Sequence, residues 1–275
     1  MRHLGMHTRI GLATALACCA VALTPAMAAA DVSDLLPAVS PPGANDFTCR
    51  PTAAHPSPVV LVHGTFEGAA DNWATASPKL KAAGYCVFAL EYGERGTGDI
   101  AASAGQLSRF VDAVLGATGA RKVSLLGHSQ GGMMPRYYIK FLGGAGKVDD
   151  LVGLAPSNHG TDNPGAIVAG ATFCPACDQQ TAGSPFLTNL NAGDETPGAV
   201  SYTAIETKYD EVVTPYTSAF LAPGPNTANV LLQDACPAEV IDHHEMPNDG
   251  LAIRWALQAL GRSGPADPAH PPSCT

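Results

Sequence analysis

A serine between two glycines has the spacing of a catalytic nucleophile. Residues 127–131 are Gly-His-Ser-Gln-Gly, and they lie between an apolar run and a segment of helical character. In a strand–turn–helix context the serine occupies a sharp turn, where its neighbours must be small. A further glycine, Gly132, allows the helix to start close to the strand. The pattern predicts that Ser129 is a nucleophile, although such glycine patterns also occur in ordinary turns.

A serine hydroxyl is a weak nucleophile until a base and an orienting acid activate it. On a strand–turn–helix scaffold the acid and then the histidine follow the serine, each after a later strand. Residues 199–207 are rich in β-forming side chains and predict a strand, and Asp210 follows its end. A second short strand at 229–233 leads to His243. We therefore predict an acyl-transfer triad of Ser129, Asp210 and His243.

Other residues compete for the acid and base positions. One acid lies inside the predicted strand, one lies a residue beyond the expected position and one follows the next strand: Glu206, Glu211 and Asp234. His244 is the alternative base, because periodicity cannot separate two adjacent histidines. One of the two histidines must be a solvated loop residue.

Acyl transfer also needs N–H donors for the oxyanion of its tetrahedral intermediate. The residue after the nucleophile, Gln130, supplies one of them. The other is expected after the first core strand, where an apolar run at 58–62 leads into His-Gly. Thr65 is the predicted donor. Phe66 is the alternative, because the sequence does not resolve the position to one residue.

Strands and helices alternate around these residues. The predicted elements are strands at 58–62, 85–92, 122–126, 150–154, 199–207 and 229–233 and helices near 78–83 and at 99–118, 133–142 and 249–260. Such alternation predicts an α/β fold with a mostly parallel central sheet and helices on both faces.

The order and spacing of these motifs resemble the secreted actinobacterial lipases of the class 2 type. The likeness runs from about residue 45 to residue 261, and its motifs are at 59–66, 127–132, 153–161, 209–216 and 236–243. It implies an α/β-hydrolase that acts as a triacylglycerol lipase or carboxylesterase through an acyl-enzyme. In that pattern a histidine falls seven residues after the cysteine of Cys-Pro, which favours His243. The same machinery could serve a polyester depolymerase, thioesterase or acyltransferase, or an inactive hydrolase-like binding protein.

The start of the chain resembles a signal peptide. Arg2 and Arg9 precede an apolar run at 10–23, and Ala-Met-Ala at 26–28 is a small-x-small cleavage site. No other apolar run approaches the length that spans a bilayer, so we expect a secreted protein without an integral membrane segment. The expected divisions are a signal peptide at 1–28, a Pro-rich segment at 29–57, the hydrolase domain at 58–261 and a Pro-rich tail at 262–275.

Residues 157–198 interrupt the alternation of strands and helices. The stretch is rich in Gly, Pro, Thr and Asn, and long excursions of this kind are often functional. We expect a cap-like insertion over the site, with a surface loop closed by a disulfide as the alternative. Its aromatic residues Phe173 and Phe186, together with Phe66, are the predicted substrate contacts.

Cleavage would remove Cys18 and Cys19 and leave six cysteines. An even number of cysteines in an exported chain predicts disulfides, here three. Fifteen pairings are possible and the sequence does not choose among them. The pairing that we expect is Cys49–Cys86, Cys174–Cys177 and Cys236–Cys274.

The acidic charge limits the classes of partner. The chain carries a formal charge of −9, which becomes −11 without the two arginines of the leader. This argues against nucleic acid and anionic lipid surfaces as partners. Neighbouring His, Asp and Glu at 242–245 lack helical His-x-x-x-His spacing, so no metal is expected. We expect a monomer that needs no cofactor and acts on a lipid or other ester.

Overall fold

The computed structural model describes residues 1–3, 31–165 and 172–275. Most of the expected signal peptide and the middle of the expected cap-like insertion therefore lie outside the described residues. Six strands form one parallel sheet in the order β2-β1-β3-β4-β5-β6. The strands are β1 (Val59–Val62), β2 (Val87–Leu90), β3 (Val123–His128), β4 (Val148–Leu154), β5 (Ser201–Glu206) and β6 (Thr227–Leu231).

Helices connect the strands. They are α1 (Ala69–Asn72), α2 (Ala76–Ala82), α3 (Gly93–Gly96), α4 (Ile100–Thr118), α5 (Gln130–Phe141), α6 (Pro175–Gln179), α7 (Pro185–Asn191), α8 (Leu232–Ala235) and α9 (Gly250–Leu260). The expected strand at 229–233 begins and ends two residues earlier, because Leu232 starts helix α8 with its side chain buried. Among the described residues, no helix has both the length and the apolar character needed to cross a bilayer.

The sheet separates two apolar clusters. Side chains alternate along a strand, so neighbouring residues of the fully buried β1 face opposite sides. Val60 packs in one cluster with Phe110 of α4, and Leu61 packs in the other with Trp255 of α9. The predicted parallel sheet with helices on both faces is confirmed.

The short element α3 is a turn of left-handed sense. All four of its residues have positive φ, from 52° at Glu94 to 71° at Gly96. Glycine adopts this conformation freely, but Glu94 and Arg95 do not. A Cβ atom at position 96 would lie 2.9 Å from the carbonyl oxygen of Gly64. The turn therefore packs directly against the loop that follows β1.

Three disulfides fasten the irregular parts of the chain, in the expected pairing. Their Cα–Cα distances are 5.8 Å, 5.2 Å and 5.6 Å, for Cys49–Cys86, Cys174–Cys177 and Cys236–Cys274 respectively. The first joins the Pro-rich segment to the start of β2. The last joins the Pro-rich tail to the residues that follow α8.

A buried carboxyl group lies near the amino end of β4. Asp150 is 6% exposed, and its Oδ2 atom accepts a hydrogen bond of 2.8 Å from the Ser124 hydroxyl. Burial raises the pKa of Asp150 to about 7. The candidate catalytic residues all follow the opposite, carboxyl ends of the strands.

Candidate active site

Ser129 lies in a tight turn between β3 and α5. Its backbone has φ 55° and ψ −122°, a conformation that non-glycine residues rarely adopt. A Cβ atom on Gly127 would lie 1.8 Å from the Gly131 carbonyl oxygen, and one on Gly131 would lie 2.0 Å from that of Val62. Close packing of α5 against β3 and β1 therefore requires both glycines of the motif.

Asp210 and His243 form a buried hydrogen-bonded pair. The His243 Nδ1 atom is 2.7 Å from the Asp210 Oδ2 atom, and the histidine is 2% exposed. The Asp210 Oδ1 atom accepts the N–H groups of Val212 and Val213, at 2.8 Å and 2.7 Å. Burial by itself would raise the pKa of Asp210, but these bonds and the bond to His243 lower it. The pair thus has a charged acid and an oriented imidazole.

Burial controls the protonation of the imidazole. It lowers the pKa of His243 below the ordinary value, and Asp210 opposes this effect in part. A histidine that is neutral near neutral pH can accept a proton from a hydroxyl group.

The competing acids and the second histidine occupy other positions. Glu206 is fully buried, and burial together with the charge of Asp210 raises its pKa well above the usual range. The Glu211 Oε2 atom accepts the backbone N–H of His243 at 3.4 Å rather than its ring. Asp234 and His244 are both exposed. Compared with these three acids, Asp210 is the one whose carboxylate meets the His243 ring nitrogen.

The backbone N–H groups of Thr65 and Phe66 differ in their hydrogen bonding. The N–H of Phe66 donates to the carbonyl oxygen of Arg95 at 2.7 Å, so it is occupied. In the part of the chain that the structure describes, the N–H of Thr65 has no acceptor. Gln130 is the first residue of α5, and the first N–H groups of a helix have no acceptor within the helix. Thr65 and Gln130 are the pair with free donors.

Gln180, which sequence reasoning missed, connects these two residues. Its Nε2 atom donates to the Thr65 Oγ1 atom at 2.9 Å and to the Gln130 Oε1 atom at 3.2 Å. The Thr65 hydroxyl in turn donates to the Gln130 Oε1 atom at 2.6 Å, and the Ser157 hydroxyl donates to the Gln180 Oε1 atom at 2.8 Å. The network fixes the loop after β1 against the start of α5.

Ser129 and His243 open onto one cavity of about 220 Å³. Its remaining walls come from the loop after β1, residues 157–165 and 177–180, the loop after Asp210 and the residue after His243. They include Thr65, Phe66, Glu67, Ser157, Thr161, Cys177, Gln180, Val212, Val213 and His244. The cavity brings the Ser129 hydroxyl and the His243 imidazole together beside apolar and polar surface.

The three predicted substrate contacts have different positions. Phe66 lines the cavity and is 47% exposed. Phe173 does not line it, but its ring centroid lies 6.1 Å from that of Phe66 and it is 69% exposed. The structure does not bring Phe186 to the cavity. Phe186 follows the first residue of α7, and its ring stacks on Tyr137 of α5 at 5.6 Å, which turns it toward the core.

Curated relatives are lipases that are longer than the matched region. The chain is 31% identical to lipase B of Pseudozyma antarctica over 214 residues. This alignment covers 72% of this chain and 60% of that protein. It is 40% identical over 97 residues to a triacylglycerol lipase of Pseudarthrobacter phenanthrenivorans, covering 31% of this chain and 28% of that protein. The chain thus spans less than two thirds of the length of these relatives.

Solved structures share the fold. Lipase B of Aspergillus fumigatus matches with a TM-score of 0.73 and 24% identity over 84% of this chain and 57% of that chain. The mature form of a Bacillus licheniformis lipase matches with a TM-score of 0.62 and 16% identity over 77% and 94% of the two chains. The α/β-hydrolase fold that the resemblance implied is confirmed. The family model for class 2 lipases matches residues 56–256, and the chain therefore belongs to the class 2 lipase family.

Proposed function

We propose that this protein is a secreted serine hydrolase that cleaves carboxylic esters, acylglycerols among them, through Ser129, His243 and Asp210. The observation that carries the proposal is the 2.7 Å hydrogen bond between Asp210 and His243, in a cavity that also contains Ser129. Membership of the class 2 lipase family supports ester hydrolysis as the reaction.

The proposed reaction has two halves. His243 accepts the hydroxyl proton of Ser129 while the serine oxygen attacks the ester carbonyl, and the N–H groups of Thr65 and Gln130 bind the oxyanion. His243 then gives its proton to the departing alcohol, which leaves an acyl-enzyme. Water loses a proton to His243 as it attacks the acyl carbon, and collapse of the second intermediate releases the acid and restores Ser129. Asp210 holds the imidazole in the required tautomer throughout, and no cofactor takes part.

Two further features belong to the proposal. Phe66 and its neighbour Phe173 offer exposed apolar surface for the substrate chain at the edge of the cavity. Three disulfides are typical of proteins that fold in an oxidising compartment, which supports export. We propose that the exported protein acts as a monomer.

Hydrolysis of p-nitrophenyl esters of graded chain length and of an acylglycerol emulsion tests the function, with Ser129→Ala as the control. The wild type should hydrolyse these esters and react covalently with a fluorophosphonate. Ser129→Ala should do neither, with a loss in kcat on the order of 10⁶. A wild-type protein without activity or labelling, or a Ser129→Ala variant that keeps more than a few per cent of the activity, would overturn the proposal.

A further inference from the structure

One carboxylate oxygen connects several segments around the candidate nucleophile. The Glu67 Oε2 atom accepts the backbone N–H of Gly64 at 2.9 Å and the side-chain amide of Asn72 at 2.6 Å. It also lies 2.9 Å from the Nδ1 atom of His128, the residue before Ser129. A Cβ atom on Gly64 would approach the same oxygen to 2.6 Å, so the loop after β1 is packed tightly on it.

The Nδ1 atom of His128 is 2.9 Å from the Glu67 carboxylate oxygen and 3.0 Å from the Asn72 amide nitrogen. The ring is fully buried, and its Nε2 atom is 3.0 Å from the backbone carbonyl oxygen of His243. A carbonyl oxygen accepts only. Burial by itself would raise the pKa of Glu67, but the charge and hydrogen bond of His128 and the N–H of Gly64 lower it to about 2. The carboxylate therefore also accepts only near neutral pH. The Asn72 amide donates to the same oxygen, so a proton on each nitrogen of His128 would satisfy both acceptors that face the ring.

A proton on both ring nitrogens of His128 would place a positive charge beside the candidate base. The ring centroids of His128 and His243 are 4.9 Å apart. The other charged or titratable groups around His243 are Asp210 on Nδ1, Glu67 beyond His128, Glu211 on the backbone N–H and the exposed His244. A positive charge at this distance disfavours a second proton on His243.

We propose that Glu67 and His128 form a buried ion pair that fixes the carbonyl group of His243 and keeps a positive charge beside its imidazole. The inference rests on the function proposed above and names two positioning residues for that reaction. The carboxylate stabilises the buried imidazolium, since a buried charge is tolerated when it is paired and hydrogen-bonded. The pair also connects the loop that carries Thr65, the turn that carries Ser129 and the loop that carries His243. Its consequence is a base that stays active at lower pH.

The acid limb of the pH profile of kcat/KM, where activity falls as His243 takes up a proton, distinguishes this role from a purely structural one. His128→Gln removes the positive charge and leaves Glu67 unpaired, and both changes favour protonation of His243. The limb should move to higher pH, by on the order of one unit, while kcat falls at least about ten-fold because the His243 carbonyl is less well held. Glu67→Gln removes the negative charge, so its limb should not move to higher pH.

The comparison uses p-nitrophenyl butyrate, with active sites counted by fluorophosphonate titration. Glu67→Gln/His128→Gln, with a neutral pair, should have a limb between those of His128→Gln and the wild type. Glu245→Gln is the matched control, because it removes an exposed carboxylate from the same loop as His243 and should leave the limb unchanged. A His128→Gln limb that is unmoved or moves to lower pH would overturn the ion-pair role.

The wild-type protein provides a second test that requires no variant to fold. Long-range ¹H–¹⁵N correlation spectra at neutral pH should show both ring nitrogens of His128 protonated. A neutral His128 ring would overturn the inference. A wild type that neither hydrolyses esters nor reacts with the fluorophosphonate would instead contradict the proposed function, and this result would be known before any variant is compared.

Discussion

Asp210→Asn should abolish most of the activity through the tautomer of His243. The two oxygens of Asp210 have different partners: Oδ1 accepts two backbone N–H groups, and Oδ2 faces the His243 Nδ1 atom. In an asparagine the amide oxygen must take the Oδ1 position, because an NH₂ group there would face two donors. The NH₂ group then faces Nδ1 and forces the ring proton onto Nε2. With its lone pair on the wrong nitrogen, His243 can no longer accept the proton of Ser129.

The expected loss in kcat is on the order of 10⁴, which equals about 5.5 kcal/mol of transition-state stabilisation. Folding should change little, because the asparagine keeps both bonds to the backbone. The thermal midpoint of Asp210→Asn should therefore stay within a few degrees of the wild type.

Initial rates with p-nitrophenyl butyrate, normalised to folded protein by circular dichroism, measure the loss. Asp234→Asn, at an exposed carboxylate that was one of the alternatives, is the matched control and should keep nearly full activity. An Asp210→Asn protein with more than about one per cent of the wild-type kcat, or an Asp234→Asn protein with an equal loss, would refute the assignment of the acid.

Four further results are expected. His243→Ala should be inactive and His244→Ala largely active in the same ester assay, and the reverse would exchange their roles. By calorimetry, Asp150→Asn should gain stability relative to the wild type, and this gain should be larger at pH 8 than at pH 4. The reason is that unfolded Asp150 ionises near its ordinary pKa of 3.8, whereas the folded carboxyl keeps its proton up to about pH 7. Wild-type stability is therefore lost as the pH rises between these values, by at most about 4 kcal/mol, and an advantage independent of pH would contradict this reasoning. Phe173→Ala should lower kcat/KM for decanoate relative to acetate by up to about ten-fold, whereas an equal loss for both esters would remove Phe173 from the substrate contacts. Reduction should lower the thermal midpoint, since each of the two bridges that join residues 37 and 38 positions apart contributes about 2–4 kcal/mol, and an unchanged midpoint after complete reduction would show that they add little.

Local patterns were sufficient to predict the turn that carries Ser129. The motif itself is a local pattern of five residues, although Gly131 is required by the distant Val62 carbonyl oxygen, and the strand before it is a continuous buried run. The proximity of Asp210 and His243 could be predicted for a related reason, because each follows a strand that composition reveals. In both cases neighbouring residues carry the signal.

Residues that act across the fold could not be predicted in this way. Gln180 meets Thr65 across 115 positions and Gln130 across 50, and Glu67 meets His128 across 61. No periodicity relates positions so far apart, and a single glutamine or glutamate has no distinguishing neighbours. The choice between Thr65 and Phe66 likewise depends on the carbonyl group of Arg95, which only the folded chain brings near.

The left-handed turn α3 has a consequence for engineering the stability of this protein. Glu94 and Arg95 each hold a backbone conformation that costs a non-glycine residue about 1–2 kcal/mol, so glycine at position 94 would relieve strain. Yet the Arg95 carbonyl oxygen accepts the N–H of Phe66. The Arg95 guanidinium also donates to the Phe66 carbonyl oxygen, at 2.7 Å and 3.2 Å. These bonds hold the residue that follows Thr65, whose N–H is the proposed oxyanion donor. Thermostabilising substitutions that relax α3 would therefore exchange preorganisation for stability, a conflict that selection for thermal tolerance alone would not detect.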